Sequence, residues 1–132
     1  MLYPQSEATV AILRRGPVIP VLTVKDVEDA LVQARALIAG GLTVLEITLR
    51  TPAAMAALTA LAMMFPDAFI GAGTIVTADQ IKAAADAGAG FLVSPGMTPR
   101  LLEAAVRSPV PFLPGVATAS EAWRYGNEVF TR

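Results

Sequence analysis

The chain has no cysteine and no histidine. The first absence excludes disulfides and thiolate metal sites. The second removes the commonest general base and the commonest metal ligand, so proton chemistry falls to Glu, Asp, Lys, Tyr or bound water, with no metal and no cofactor expected. Lysine is almost missing too, with only Lys25 and Lys82 present. Neither sign of charge dominates: ten basic and eleven acidic side chains leave a formal charge of −1 with no like-charged block. That balance argues against nucleic acid or an anionic membrane as partner. No apolar run approaches the roughly 20 residues of a membrane span. Met1–Thr9 shows no basic segment leading into an apolar one, so no secretory signal is expected and a soluble, cytoplasmic protein is the default.

What is present is a hydrophobic chain. Of its 132 residues 55% are hydrophobic and 16% charged, which excludes intrinsic disorder. The length suits one domain with a real core, expected to span residues 1–132 because no linker or low-complexity stretch divides them.

Short apolar runs alternate with alanine-rich amphipathic stretches. Strands are predicted at Pro17–Leu22, Leu42–Thr48, Ala68–Gly71, Gly90–Ser94 and Val110–Leu113. Between them, Val27–Ala39 has apolar residues at helical spacing and is stopped by Gly40-Gly41. Further helices are predicted from Thr51-Pro52 to Phe65, over Asp79–Ala87 behind a Thr77 cap and before Gly88, and over Thr98–Arg107. Ser120–Tyr125 begins another helix, and Val129-Phe130 reads as the start of a sixth strand. Strand starts recur roughly every 20–26 residues, as in a repeated βα unit. The class is therefore α/β with a parallel sheet buried on both faces. This pattern fits a (β/α) barrel and an open doubly wound sheet equally well. Met55, Met63, Met64 and Met97 are read as core filler, Trp123 as a packing residue, and Lys82 as a helix-surface ion-pair partner of the nearby Asp79 and Asp86.

In such folds functional groups sit at the C-terminal ends of strands. Those positions are Thr23, Glu46, Thr48, Arg50, Gly71-Ala72-Gly73-Thr74, Ser94-Pro95-Gly96 and Pro114-Gly115. Glu46 lies within the apolar run Val44–Thr48, where a carboxylate needs a partner or a raised pKa. An ion pair with Arg50 and a proton-shuttle role are both open to it. Arg50 suits two-point binding of a carboxylate or phosphate and equally suits an ordinary surface position. Gly71–Thr74 reads as a tight loop able to meet an anion; it is neither a Walker loop nor a dinucleotide fingerprint.

Taken in order, these segments resemble the 2-keto-3-deoxy-6-phosphogluconate (KDPG) / 4-hydroxy-2-oxoglutarate (KHG) aldolase family. The matching pieces are Gly16–Val21, Gly40-Gly41, Leu45–Thr51, Gly71–Thr74, Ala87–Ala89, Ser94–Gly96, Pro114–Thr118 and Ser120-Glu121. The resemblance covers the family's first five-eighths. It implies a partial TIM (β/α)8 barrel of about five βα units plus a fragment of the sixth strand, and a homotrimer. It also implies a class I aldolase that cleaves KDPG to pyruvate and glyceraldehyde 3-phosphate, or KHG to pyruvate and glyoxylate, through a lysine Schiff base. By this resemblance Glu46 is the general acid/base, Arg50 and Thr74 hold the carboxylate at the pyruvate end, and Pro95 walls the pocket. The family's lysine belongs to a Phe-Lys-Phe-Phe-Pro-Ala-Glu type motif on the sixth strand. If Phe130 matches its first aromatic, Thr131 stands where lysine is expected; a tail unrelated to the family after Arg124 is the other reading. Both leave the chain without a nucleophile there, and a threonine cannot form an imine. Glycine loops for phosphate after strands seven and eight are not in the sequence. The alternatives to an enzyme are a barrel fragment serving as a structural or assembly unit, and an oxoacid-binding remnant.

Overall fold

The computed structural model describes residues 4–129. Helix α1 (Pro4–Leu13) precedes five βα units: β1 (Val21–Leu22), α2 (Val27–Ala39), β2 (Val44–Thr48), α3 (Ala54–Met64), β3 (Phe69–Gly73), α4 (Ala78–Asp86), β4 (Leu92–Ser94), α5 (Pro99–Arg107), β5 (Phe112–Pro114) and α6 (Ala119–Val129). All strand pairs are parallel, and the sheet order is β1-β2-β3-β4-β5. A doubly wound sheet reverses its order at a switch point, whereas a barrel adds each strand beside the last. The unreversed order makes this a partial barrel, with β1 and β5 as its open edges.

Local chemistry sets the ends of the helices. Asp26 caps α2 by accepting the Asp29 N–H at 2.7 Å. Thr77 and Gln80 form a reciprocal capping box on α4, and Thr98 caps α5 with Pro99 in its first turn. Gly41 and Gly88 leave their helices at φ +93° and +94°, the left-handed exit that glycine makes without steric cost. The third helix starts later than Thr51-Pro52 suggests. The Thr51 hydroxyl donates to the Val24 carbonyl at 2.7 Å, which ties the β2–α3 turn to the segment after β1, and α3 begins at Ala54 with no side-chain cap.

Alternation along the strands divides the core. Leu22, Leu45, Ile47, Ile70, Ala72, Leu92 and Phe112 pack outward with buried residues of α2–α5 such as Ala30, Leu58, Ile81 and Leu101. On the inner face Val44 and Phe91 pack with Ile12 of α1, flanked by Ile19, Phe69, Val93 and Leu113. Helix α1, for which the sequence pattern gives no signal, thus plugs the concave side. Arg15 just beyond it stacks on the Phe69 ring at 3.9 Å.

Three expectations are corrected. Val129 ends helix α6 and does not start a strand; nothing halts the helix before it, since Gly126 costs an α-helix only about 1 kcal/mol relative to alanine. Phe130 lies outside the described residues. Met63 and Met64 are exposed, at 79% and 52%, because they fall on the solvent side of α3's last turn; Met55 and Met97 do pack on the core. Trp123 is 78% exposed: α6 rests on α5, and its tryptophan points elsewhere.

Candidate active site

Strands β1 to β4 bring the site residues to one rim, the C-terminal ends of the parallel strands. Glu46 sits mid-β2 on the inner face. The alternation Val44, Glu46, Thr48 points inward while Leu45 and Ile47 fill the helix side. Only 9% of Glu46 is exposed, and burial raises its carboxyl pKa above the ordinary range, with the positive charge of Arg50 pulling the other way. The two groups form no ion pair: the salt bridges among the described residues are Lys82–Asp86 and Arg107–Glu103. Of the two roles open to Glu46 from sequence, the paired one is therefore corrected. Arg50 stands exposed one turn beyond β2, too far for contact yet close enough to act through its field.

Thr48, the next inward residue, is fully tied. Its hydroxyl donates to the Leu22 carbonyl at 3.1 Å. With that proton committed, the 3.0 Å contact between the Thr48 and Thr23 hydroxyls has Thr23 as donor. The pair staples β1 to β2 just above Glu46.

The segment Gly71–Thr74 is not the tight loop expected from its glycines. Gly71, Ala72 and Gly73 are strand residues of β3, in register with Glu46, Ile47 and Thr48. Only Thr74 leaves the strand, with φ +60°, the single left-handed residue other than glycine among the described residues. For a β-branched residue this conformation is a true outlier, costing on the order of 1–3 kcal/mol. Its cause is visible in the ladder. The Ala72 N–H donates to the Phe91 carbonyl at 3.0 Å and the Ile75 N–H to the Val93 carbonyl at 3.0 Å, so β3 advances three residues where β4 advances two. Thr74 is the extra residue of a bulge, a device that re-aims a side chain at barrel rims and beside active sites. The half-buried Thr74 is thereby presented at the same rim as Glu46 and Arg50.

Pro95 follows β4 at that rim and is exposed. Gly115 packs beneath it, its N–H donating to the Ser94 carbonyl at 2.8 Å. A β-carbon at Gly115 would press on the Pro95 carbonyl, so glycine lets β5 draw close. Ser94 is buried with its hydroxyl unpartnered, on the helix side of the sheet.

The two lysines lie away from this rim's centre. Lys25 is exposed in the β1–α2 turn, its backbone N–H donating to Asp29 at 3.1 Å. Lys82 is on the outer surface of α4, paired with Asp86 at 2.5 Å, which raises its pKa; Asp79 forms no salt bridge among the described residues. Thr131 lies outside the described residues. Among those residues no group of acids could hold a metal ion, and no helix is long and apolar enough to cross a membrane. A groove of about 430 Å³ between α5 and α6 is lined by Pro99, Leu102, Glu103, Val106, Arg107, Arg124 and Tyr125 and includes none of the site residues.

Comparison with known proteins agrees with this architecture. A family model described as KDPG and KHG aldolase matches residues 9–129. The KHG/KDPG aldolase of Escherichia coli is 48% identical over 111 residues, covering 84% of this chain and 52% of the relative. The 2-dehydro-3-deoxy-phosphogluconate aldolase of Pseudomonas aeruginosa is 48% identical over 120 residues, covering 89% and 54%. Among solved structures, KDPG aldolase from Legionella pneumophila, with pyruvate captured as a covalent carbinolamine intermediate, superposes with a TM-score of 0.86 at 49% identity, over 89% of this chain and 57% of that one. The Zymomonas mobilis aldolase with 3-phosphoglycerate gives 0.84 at 43%, over 91% and 56%. The chain spans about half the length of the curated relatives it matches. With a parallel half-barrel, a rim bearing Glu46, Arg50 and Thr74, and a family match over nearly its whole length, the chain belongs to the KDPG/KHG aldolase family.

Proposed function

We propose that this chain carries the proton-transfer and carboxylate-binding part of a class I aldolase site, directed at the pyruvate end of a 2-keto acid such as KDPG or KHG. The observation that carries it is Glu46: a largely buried carboxyl group on the inner face of the barrel, with no ion-pair partner among the described residues and a pKa pushed up by burial. A carboxyl group whose pKa is raised by burial can give a proton to a keto oxygen or a bound water and take it back. Arg50 and the Thr74 hydroxyl, aimed by its bulge, would hold the keto-acid carboxylate, and Pro95 would bound the pocket. On this reading the chain works in the cytoplasm as a homotrimer.

A carbinolamine, the state in which the Legionella pneumophila aldolase holds pyruvate, arises when an amine adds to a ketone carbonyl. Within this chain the only side-chain amines are those of Lys25 and Lys82, one in a turn before α2 and one ion-paired on the outer surface. The chain is accordingly expected to bind an oxoacid without forming an imine. Borohydride reduction in the presence of pyruvate, followed by intact mass and peptide mapping, tests this. No adduct is expected; an adduct on Lys25 or Lys82 would mean a rebuilt nucleophile and would overturn this reading. Pyruvate should also raise the melting temperature saturably in the parent chain and not in Arg50→Ala.

A second reading, as an assembly unit, has its own support in the open edges of β1 and β5 and in the exposed Val18, Val21, Val116 and Trp123. Unpaired edges and apolar surface of this kind favour self-association. A defined oligomer that ignores pyruvate would favour this second reading over the first.

A further inference from the structure

Among the described residues the carboxyl group of Glu46 has no hydrogen-bond or ion-pair partner, so its position must be set by packing. The neighbouring strand explains how. Gly71 and Gly73 are alternate residues of β3, so both turn the same bare backbone to the inner face. Gly71 stands directly across from Glu46 in the β2–β3 register, but the space over it is taken. Phe91, entering from the β4 side, lays its ring there, and a β-carbon at Gly71 would collide with three of the ring atoms. That ring is 1% exposed and packs in one cluster with Val44 and Ile12. Glu46 therefore leans one step further along, over Gly73, where a β-carbon would overlap Oε1, Cδ and Cγ of the glutamate. Neither glycine has a positive φ, so the backbone itself would accept alanine at both sites. The need for glycine is one of volume, imposed by side chains from the two adjacent strands.

We propose that Gly73 is a positioning residue for Glu46: its missing side chain is the seat of the carboxyl group, and the Phe91 ring over Gly71 directs the carboxyl group into that seat, toward the rim where Arg50 and Thr74 stand. This rests on Glu46 as the proton-carrying group of the proposed site, but it is tested without substrate. Of the charged groups among the described residues, Arg50, beyond the end of β2, acts on Glu46 by its charge, and Arg15 stacks on Phe69 at the opposite end of β3. Neither is touched by a change at Gly73.

The experiment is a carbon-13 NMR titration of the glutamate carboxyl groups in the full chain, with Glu46→Gln to identify the Glu46 signal. In the parent chain Glu46 should titrate above the ordinary carboxylate range. In Gly73→Ala the group is forced off its seat into water, and its midpoint should drop into that range while the fold, followed by circular dichroism, is kept. An unchanged midpoint in folded Gly73→Ala overturns the proposal. Should Gly73→Ala fold poorly, Gly73→Ala combined with Glu46→Ala decides. Removing the glutamate's Cγ and carboxyl frees the space for the new β-carbon, so the double variant should regain most of the lost melting temperature. A double variant as unstable as the single one would place the clash elsewhere and sink the idea. Failure of pyruvate to bind would leave both results standing, so the two claims fail separately.

Discussion

The two faces of this five-stranded sheet are built by opposite rules. The outer face is filled: Leu45, Ile47, Ala72, Leu92 and Phe112 are wholly excluded from solvent beneath α2–α5. The inner face is partly emptied. It has two glycines on β3, a lone carboxyl group, a threonine staple and, on β1, a Val21 that is 60% exposed. Burial on the outer face stabilises the fold at about 25 cal/mol per Å² of apolar area. The inner face gives some of that up, and what it gains is space and a group with a perturbed pKa. Stability and site chemistry are thus separated across one sheet, residue by alternate residue.

The largest expected effect tests that separation directly. Phe112→Ala on the outer face should cost about 3–5 kcal/mol in urea unfolding, as buried aromatic truncations do. Val21→Ala on the inner face, already mostly exposed, should stay within roughly 0.5 kcal/mol. Similar losses at both positions would break the comparison.

A smaller effect sharpens it. Gly71→Ala pushes a β-carbon into a ring that has nowhere to go, and overpacking of that kind costs about 1–3 kcal/mol. Gly96→Ala at the rim, where nothing lies within 4 Å of the new atom, should be nearly neutral. Equal melting temperatures for the two variants would mean that the inner face is looser than described.

The smallest effect is a slope. The folded state raises the Glu46 pKa above its unfolded value, because burial disfavours the charged form. The associated stability is therefore fully present below the ordinary carboxylate pKa and is lost as pH rises through the raised, folded one. Asp29 and Glu121 have depressed pKa values from backbone hydrogen bonds at the starts of α2 and α6. Their contributions run the other way and disappear as pH falls below the ordinary range. Lys82, whose pKa is also raised, loses its contribution only above the ordinary lysine range, so unfolding midpoints between roughly pH 5 and pH 9 isolate Glu46. Glu46→Gln should flatten the decline there; an unchanged decline would assign it to another group.

Much of the outer architecture was legible in the sequence. The three-and-four spacing of apolar residues in Val27–Ala39, the Thr77 cap, the Thr98-Pro99 opening of α5 and the exits at Gly41 and Gly88 each act within one or two turns of backbone, and each is found as expected. The strands were placed to within a few residues, with Pro17–Leu22 shrinking to Val21–Leu22 because only those residues pair with β2. Helix α1 escaped because its apolar residues do not gather on one side of a helix; what orders it is the concave face that Ile12 fills. The site was legible only in part. Glu46 stood out as an acid in an apolar run and Arg50 by its place after the strand. Nothing local distinguished an ion pair between them from the separated arrangement observed. Gly71 and Gly73 looked like a loop, because a pair of glycines is usually read as backbone freedom. Here they are strand residues kept bare by a phenylalanine and a glutamate lying some twenty to thirty positions away in the chain.

The sequence by itself therefore determined the βα repeat, the helix boundaries set by caps and glycines, the shortage of amines and the absence of histidine and cysteine. Those properties live in composition or in contacts between near neighbours. Tertiary structure alone decided that the strands follow one another without reversal, that Glu46 stands unpaired with its pKa raised, that Thr74 is the extra residue of a bulge, and that glycine on β3 means room. Each of these depends on which side chains meet across adjacent strands, and such meetings are fixed only when the parallel register is.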